Sequence, residues 1–159
     1  MGFDLNLDMK KVNKISFIIG LIISIGFSYM VGFSAYHIAS TTSGGGYNNS
    51  YISDEIYYVD SARRILVNVF GYKGTTYPYS GETAPTYYNF EHPPLAKYII
   101  ALSMALLGDK PINWRIPSII MASLIPLIIY LGISIKNDIK WIFLGVIAAL
   151  IASSDHILI

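Results

Sequence analysis

Two adjacent carboxylates, Asp54 and Glu55, open the part of this chain whose residue types could do chemistry. They lie near the start of a polar stretch, Ser40 to Arg115, that separates long apolar runs. His92-Pro93-Pro94-Leu95-Ala96-Lys97 and Arg115 lie towards its end. A carboxylate held near apolar surface has its pKa raised and can take a proton from a hydroxyl. A neighbouring pair could also hold a divalent cation. The bland alternative is a helix first turn on a solvated face, which the spacing supports equally well. Arg115 is either an anchoring charge or a bidentate partner for a phosphate. His92 reads as a ligand, a proton carrier or a polar lead-in to a helix. Tyr87 and Tyr88 could stack on a sugar or sit as interfacial tyrosines. Asp155 and His156 fall near the end of an apolar run, where ionisable groups are costly and are functional candidates. No Gly-rich phosphate loop, Cys/His zinc pattern or Gly-x-Ser-x-Gly elbow is present.

The elements that must position these residues belong to a membrane protein. Of 159 residues, 53% are hydrophobic and 13% charged, with a mean hydropathy of +0.50. A soluble domain carries about 25% charged residues. The net charge of +1 comes with no basic stripe, so nucleic acid is not an expected partner. Without cysteine, disulfide and thiol chemistry are excluded. The 13 tyrosines suit a long boundary with lipid headgroups.

Lys10, Lys11 and Lys14 precede an uncharged stretch from Ile15 to Ile38, long enough to cross about 30 Å of hydrocarbon. It is too long for a signal peptide core, and Tyr36-His37-Ile38 is no small-residue cleavage site. The lysines put the N-terminus in the cytoplasm. Ser40 to Ser50 reads as a linker, and Asn48-Asn49-Ser50 fits a glycosylation sequon or a chance match. Ser53 is expected to cap a helix over 54–70. Its apolar face is Val59, Ala62, Ile65, Leu66, Val69 and Phe70, with Asp60, Arg63, Arg64 and Asn68 mostly opposite. This predicts an amphipathic helix lying on the membrane surface, stopped at Gly71. A second helix over 94–108 has only Tyr98 to Leu107 as apolar length, which fits an interfacial or re-entrant helix better than a span. Spans follow over 116–135 and 141–159. Pro117 is expected in the first turn of the former and Pro126 at a kink. Trp114 and Arg115 mark its outer boundary, and Lys136 and Lys140 its inner one. With 94–108 outside the bilayer there are three spans, and the lysines share the cytoplasmic side. The expected fold is therefore all-α and polytopic, one module over 1–159 with a long extracytoplasmic loop over 39–115.

The order of these features carries a resemblance. One N-terminal span is followed by Asp54-Glu55, an amphipathic helix and His92-Pro93-Pro94-Leu95-Ala96-Lys97. Arg115-Ile116-Pro117-Ser118 then opens a span, and a further span ends in Ser153-Ser154-Asp155-His156. Over Ile15 to Ile159 this resembles the N-terminal part of the protein O-mannosyltransferases (glycosyltransferase family 39) and their relatives. These are GT-C membrane enzymes that use polyprenyl-phosphate sugars.

The resemblance implies transfer of a sugar, mannose in the type family, from a dolichyl- or polyprenyl-phosphate donor to an acceptor hydroxyl, a protein Ser or Thr in that family. Transfer would invert the anomeric carbon at the extracytoplasmic face. It implies Asp54 as the catalytic base, Glu55 as its support, and Arg115 beside the lipid phosphate. His92, Lys97, Tyr88, Asp155 and His156 are candidate substrate-binding positions. It leans against a metal cofactor, although the carboxylate pair alone would allow a divalent cation. The implied partners are the donor lipid, an acceptor protein or lipid, and the bilayer. Family members are several times longer. The 159 residues are accordingly expected to need further spans, from the same or a second chain, and to transfer no sugar alone; turnover by the purified chain would contradict this. The alternative is a non-catalytic membrane subunit of the same fold that binds a lipid or a partner chain.

Overall fold

The computed structural model describes residues 5–41, 51, 54–73, 89–136 and 138–157, with backbone alone at 5–8 and 155–157. Among them are five α-helices and no strand: α1 Leu5–Thr41, α2 Glu55–Asn68, α3 Leu95–Leu107, α4 Pro111–Ser134 and α5 Ile139–Ile157. Two are long and apolar enough to cross a membrane, over Met9–Thr41 and Pro111–Ser134. Only 17% and 11% of their most apolar windows are buried, where the core helix of a soluble protein would be mostly covered. They contain the expected spans over 15–38 and 116–135. The third expected span falls on α5, whose apolar stretch Ile139–Ser154 is shorter. The second loop helix is α3, with 13 residues. At 1.5 Å per residue it is about 20 Å long, well short of about 30 Å of hydrocarbon.

The chain divides into two compact units, Met1–Ala35 with Ile119–Ile159, and Tyr36–Ser118. In the first, Tyr130 on α4 joins three helices. Its ring meets Phe17 of α1 at 5.6 Å, and its hydroxyl donates to the Phe17 carbonyl at 2.6 Å. A Cβ at Gly20 would lie 2.6 Å from the Tyr130 hydroxyl oxygen, and one at Gly145 of α5 would lie 2.5 Å from Ser134 Oγ. Glycine at both positions lets the helices approach closely. Ile142, Ala149, Leu21, Phe27 and Val146 complete this core.

In the second unit α2 packs against α3. The core is Tyr51, Ile56, Val59, Ala62, Ile65, Leu66, Ala101, Met104 and Trp114. The expected apolar face of α2 is buried as far as Leu66, but Val69 and Phe70 are exposed beyond the helix end, before Gly71 at φ +65°. The expected solvated face is corrected more deeply: Asp60 and Arg63 are fully buried and Arg64 nearly so. Arg63 donates through Nε and Nη2 to Asp109 at 2.7 and 2.9 Å, and through Nη1 to Asp60 at 3.0 Å and to the Tyr51 hydroxyl. Its guanidinium also lies 5.0 Å from the centre of the Trp114 ring. Asp109 sits 46 positions away, so helical periodicity carries no trace of it. α2 is therefore a packed helix with its charges turned inward.

Asp109 follows Gly108, which ends α3 at φ +91°, a backbone conformation that disfavours a side chain. α4 then begins at Pro111, five residues before the expected start of the span. Two corrections follow. Trp114 is no boundary anchor: it is buried and stacks on Tyr51 at 5.6 Å, with the ring planes 12° apart. Pro117 lies well past the first turn. Its missing N–H would have met the Asn113 carbonyl, which accepts instead from Ser103 Oγ at 2.6 Å. The helix also continues through Pro126.

Replacing Asp109 with Ala leaves Arg63 buried without its bidentate partner and is expected to cost about 3–5 kcal/mol. Reversible unfolding of the detergent-solubilised protein measures this, and a loss below about 1 kcal/mol, the usual surface range, would contradict the pairing. Burial raises the Tyr51 phenol above its usual value, against the opposing pull of Arg63. Because the folded-state pKa is the higher one, Tyr51 stabilises the fold fully below pH about 10 and loses that contribution as the pH rises beyond it. The alkaline fall in stability should be shallower in Tyr51→Phe than in wild type; an identical slope would count against it.

Candidate functional site

The site is built where α2 begins. Asp54 is the capping residue, at φ −72° and ψ 1°, and its side chain makes no capping bond. The expected cap, Ser53, lies outside the described residues. The Asp54 carbonyl accepts from the Tyr57 N–H at 3.0 Å, which starts the helix. Its carboxylate is exposed and has no hydrogen-bond or ion-pair partner among the described residues.

Glu55 behaves differently. Its two oxygens accept from Arg115 Nε and Nη2, each at 2.7 Å, in the fork-to-fork geometry that suits guanidinium and carboxylate. Arg115 Nη1 donates to the Ala39 carbonyl at 2.6 Å. One guanidinium thus ties the start of α2 to the end of α1 and the second turn of α4, across 60 and 76 positions of sequence. Arg115 is nearly buried, at 7% exposure.

These residues line a cavity of about 510 Å³ with Tyr58, Ser118, Val59, Ala96, Ile100 and Trp114. The lining combines polar and charged side chains with aliphatic and aromatic ones. A second cavity, about 290 Å³, is lined by Asp54, Tyr57, Tyr58, Asn89, Glu91 and His92. Asp54 and Tyr58 border both. The Tyr58 and His92 rings are 5.5 Å apart.

Asp54, Glu55 and Arg115 therefore meet around one cavity, and His92 joins Asp54 at the other. Lys97 is turned away. It is 2% exposed, and its ammonium donates to the His92 carbonyl at 2.9 Å and to the Asn89 carbonyl. Burial pulls its pKa below the usual value, with Glu91 opposing. In this role Lys97 holds the turn before α3, where Asn89 takes φ +53°. Tyr88 lies outside the described residues, as do Tyr87, the 42–50 part of the linker and its sequon. Asp155 and His156 end α5 in the other unit, and their side chains are outside the described atoms.

Tyr58 was legible as a neighbour, being four positions after Asp54 on the same helix face. Ser118, three after Arg115, follows the same rule. Asn89 and Glu91 gave no such signal. Among the described residues no group of three or more His, Cys, Asp or Glu gathers to hold a metal. With both Glu55 oxygens on Arg115, Asp54 is the one member of the carboxylate pair open to a ligand. No protein-family profile, curated protein or solved structure matches the chain.

Lys97→Met removes the donor from two carbonyls and is expected to cost about 1–3 kcal/mol. It should also speed protease cleavage between Asn89 and Pro94. Wild-type stability and cleavage rate would show that the ammonium does not hold this turn.

Proposed function

We propose that this chain is a membrane glycosyltransferase module, complete or part of a longer enzyme, that takes a sugar from a polyprenyl-phosphate donor. The observation that carries the reading is the Asp54 carboxylate, without a partner among the described residues, on the same cavity as the Glu55–Arg115 pair. A base and a cationic fork are the two groups this displacement needs. An acceptor hydroxyl gives its proton to Asp54 while its oxygen bonds to the anomeric carbon. The bond from that carbon to the phosphate oxygen breaks, and its electron pair leaves with the polyprenyl phosphate. A phosphate leaves without needing a proton, so one base and one cation suffice. Attack opposite the leaving group inverts the anomeric centre. Val59, Ala96 and Ile100 give the lipid an apolar wall. The exposed apolar sides of α1 and α4 support insertion in a bilayer, with α5 as the third crossing and α3 at the surface. The lysines at 10, 11, 14, 136 and 140 then lie in the cytoplasm. Mannose and a Ser or Thr acceptor follow from the resemblance alone.

In this reading the phosphate takes the place of the Glu55 carboxylate on Arg115, since that carboxylate already occupies the bidentate Nε–Nη2 edge. The same occupancy favours a second reading, a non-catalytic subunit in which Arg115 is only a clamp between helices.

Binding of a polyprenyl phosphate to the purified chain in nanodiscs separates them. Arg115→Ala is expected to lose binding at least tenfold. Glu55→Gln, which removes the competing charge, should bind roughly tenfold more tightly, a gain of about 1.4 kcal/mol. Asp54→Asn should bind at least as well as wild type, having one negative charge fewer beside the phosphate. No binding by wild type or Glu55→Gln, with helix content intact, would leave the clamp as the role of Arg115.

A further inference from the structure

A third cavity, of about 350 Å³, lies in the unit that does not hold the candidate site. Its lining is Lys14 and Phe17 of α1, Leu131 and Ser134 of α4, and Ile135 just beyond. One cation, one hydroxyl and three apolar side chains meet there, with no carboxylate. Lys14 is exposed, and among the described residues no hydrogen bond or ion pair holds its ammonium. It is the last charge before the uncharged stretch that begins at Ile15, and Ile135 is the last residue before Lys136. The cavity therefore sits where apolar helix sides give way to charge, the level of lipid headgroups in a bilayer around α1 and α4.

The charge at this end is short of a counterion. Lys10 and Lys11 precede Lys14 by four and three positions, so the three share one side of α1 and repel one another. Asp8 stands three before Lys11 but six before Lys14, so helical spacing offers it to Lys11. Asp138 is engaged at the start of α5, where its Oδ1 accepts from the Lys140 N–H at 2.9 Å. The end of α4 adds only the partial negative charge of its last carbonyls. A cation above an apolar slot matches an amphiphile with an anionic head. A free anion would leave Phe17, Leu131 and Ile135 uncovered, and a choline headgroup would bring a cation against the lysines.

We infer that this cavity holds one anionic phospholipid, its phosphate on Lys14 and the first methylenes of one chain against Phe17, Leu131 and Ile135. The rest of the lipid stays in the bilayer. The bound lipid bridges α1 and α4 beside the contact of Tyr130 with Phe17. The site does not depend on the transferase reading.

The test uses the purified whole chain in neutral detergent, with native mass spectrometry counting bound lipid. Phosphatidylglycerol and phosphatidylcholine with identical chains are the probes. One phosphatidylglycerol should bind per chain, at least tenfold more tightly than phosphatidylcholine. Lys14→Gln should weaken it at least fivefold. Leu131→Trp, which fills the apolar slot and leaves every lysine, should do the same. Lys140→Gln removes an equal charge outside the lining and should change affinity less than twofold. Inorganic phosphate in large excess should not displace the lipid. Equal affinity for the two lipids, or wild-type affinity in Lys14→Gln, overturns the inference. An equal loss in Lys14→Gln and Lys140→Gln overturns it in favour of a diffuse basic surface, and displacement by inorganic phosphate in favour of a simple anion site. Lys14 is exposed, so its substitution decides the matter even if Leu131→Trp fails to fold.

Discussion

The pairing of Glu55 with Arg115 is the constraint on which the candidate site depends. A nearly buried guanidinium needs its charge matched, and here the Glu55 carboxylate does so while the Ala39 carbonyl takes a third donor. The consequence falls on the residue next door. With Glu55 drawn to Arg115, Asp54 at the helix cap lines the cavity with no carboxylate partner among the described residues. Two adjacent acids of like chemistry thereby take different roles, one closing the structure and one open to a ligand.

A second buried charge stabilises the frame around them. Arg63 links α2 to the turn between α3 and α4 through Asp109, and Asp60 and Tyr51 accept from its Nη1. Buried ion pairs are often worth less than apolar packing, but breaking one is costly because the surviving charge has no water. The network therefore fixes how α2 meets α3 and the start of α4 more strictly than aliphatic contacts would. Trp114 and Tyr51 stack beside it and form a wall that continues into the larger cavity.

Much of the helical frame was legible in the sequence. The apolar runs marked α1, α4 and α5, and the short apolar length after Lys97 marked α3 as a helix too short to cross. Gly71 and Gly108 marked helix ends. The charges of α2 were misread because periodicity assigns a residue to a face without knowing what that face meets. Asp60, Arg63 and Arg64 sit opposite the aliphatic stripe, yet Asp109 and Tyr51 cover that side. Trp114 was misplaced for a related reason: hydropathy marks where an apolar run starts, while α4 starts earlier, at Pro111. Asp54, Glu55 and Arg115 were singled out by residue type and spacing; that Glu55 and Arg115 bond to each other came only from the fold. Lys97 belonged to the same motif and proved to hold a backbone turn.

The most direct measurement is a structure of the protein with a non-hydrolysable polyprenyl-phosphonate sugar bound. The account expects the phosphonate oxygens within hydrogen-bond reach of the Arg115 guanidinium and Glu55 released from it. It also expects the anomeric carbon to face Asp54, leaving room for one hydroxyl oxygen at about 3–3.5 Å. A lipid bound elsewhere, with the Glu55–Arg115 pair intact, would contradict the central claim and leave that pair as a clamp between helices.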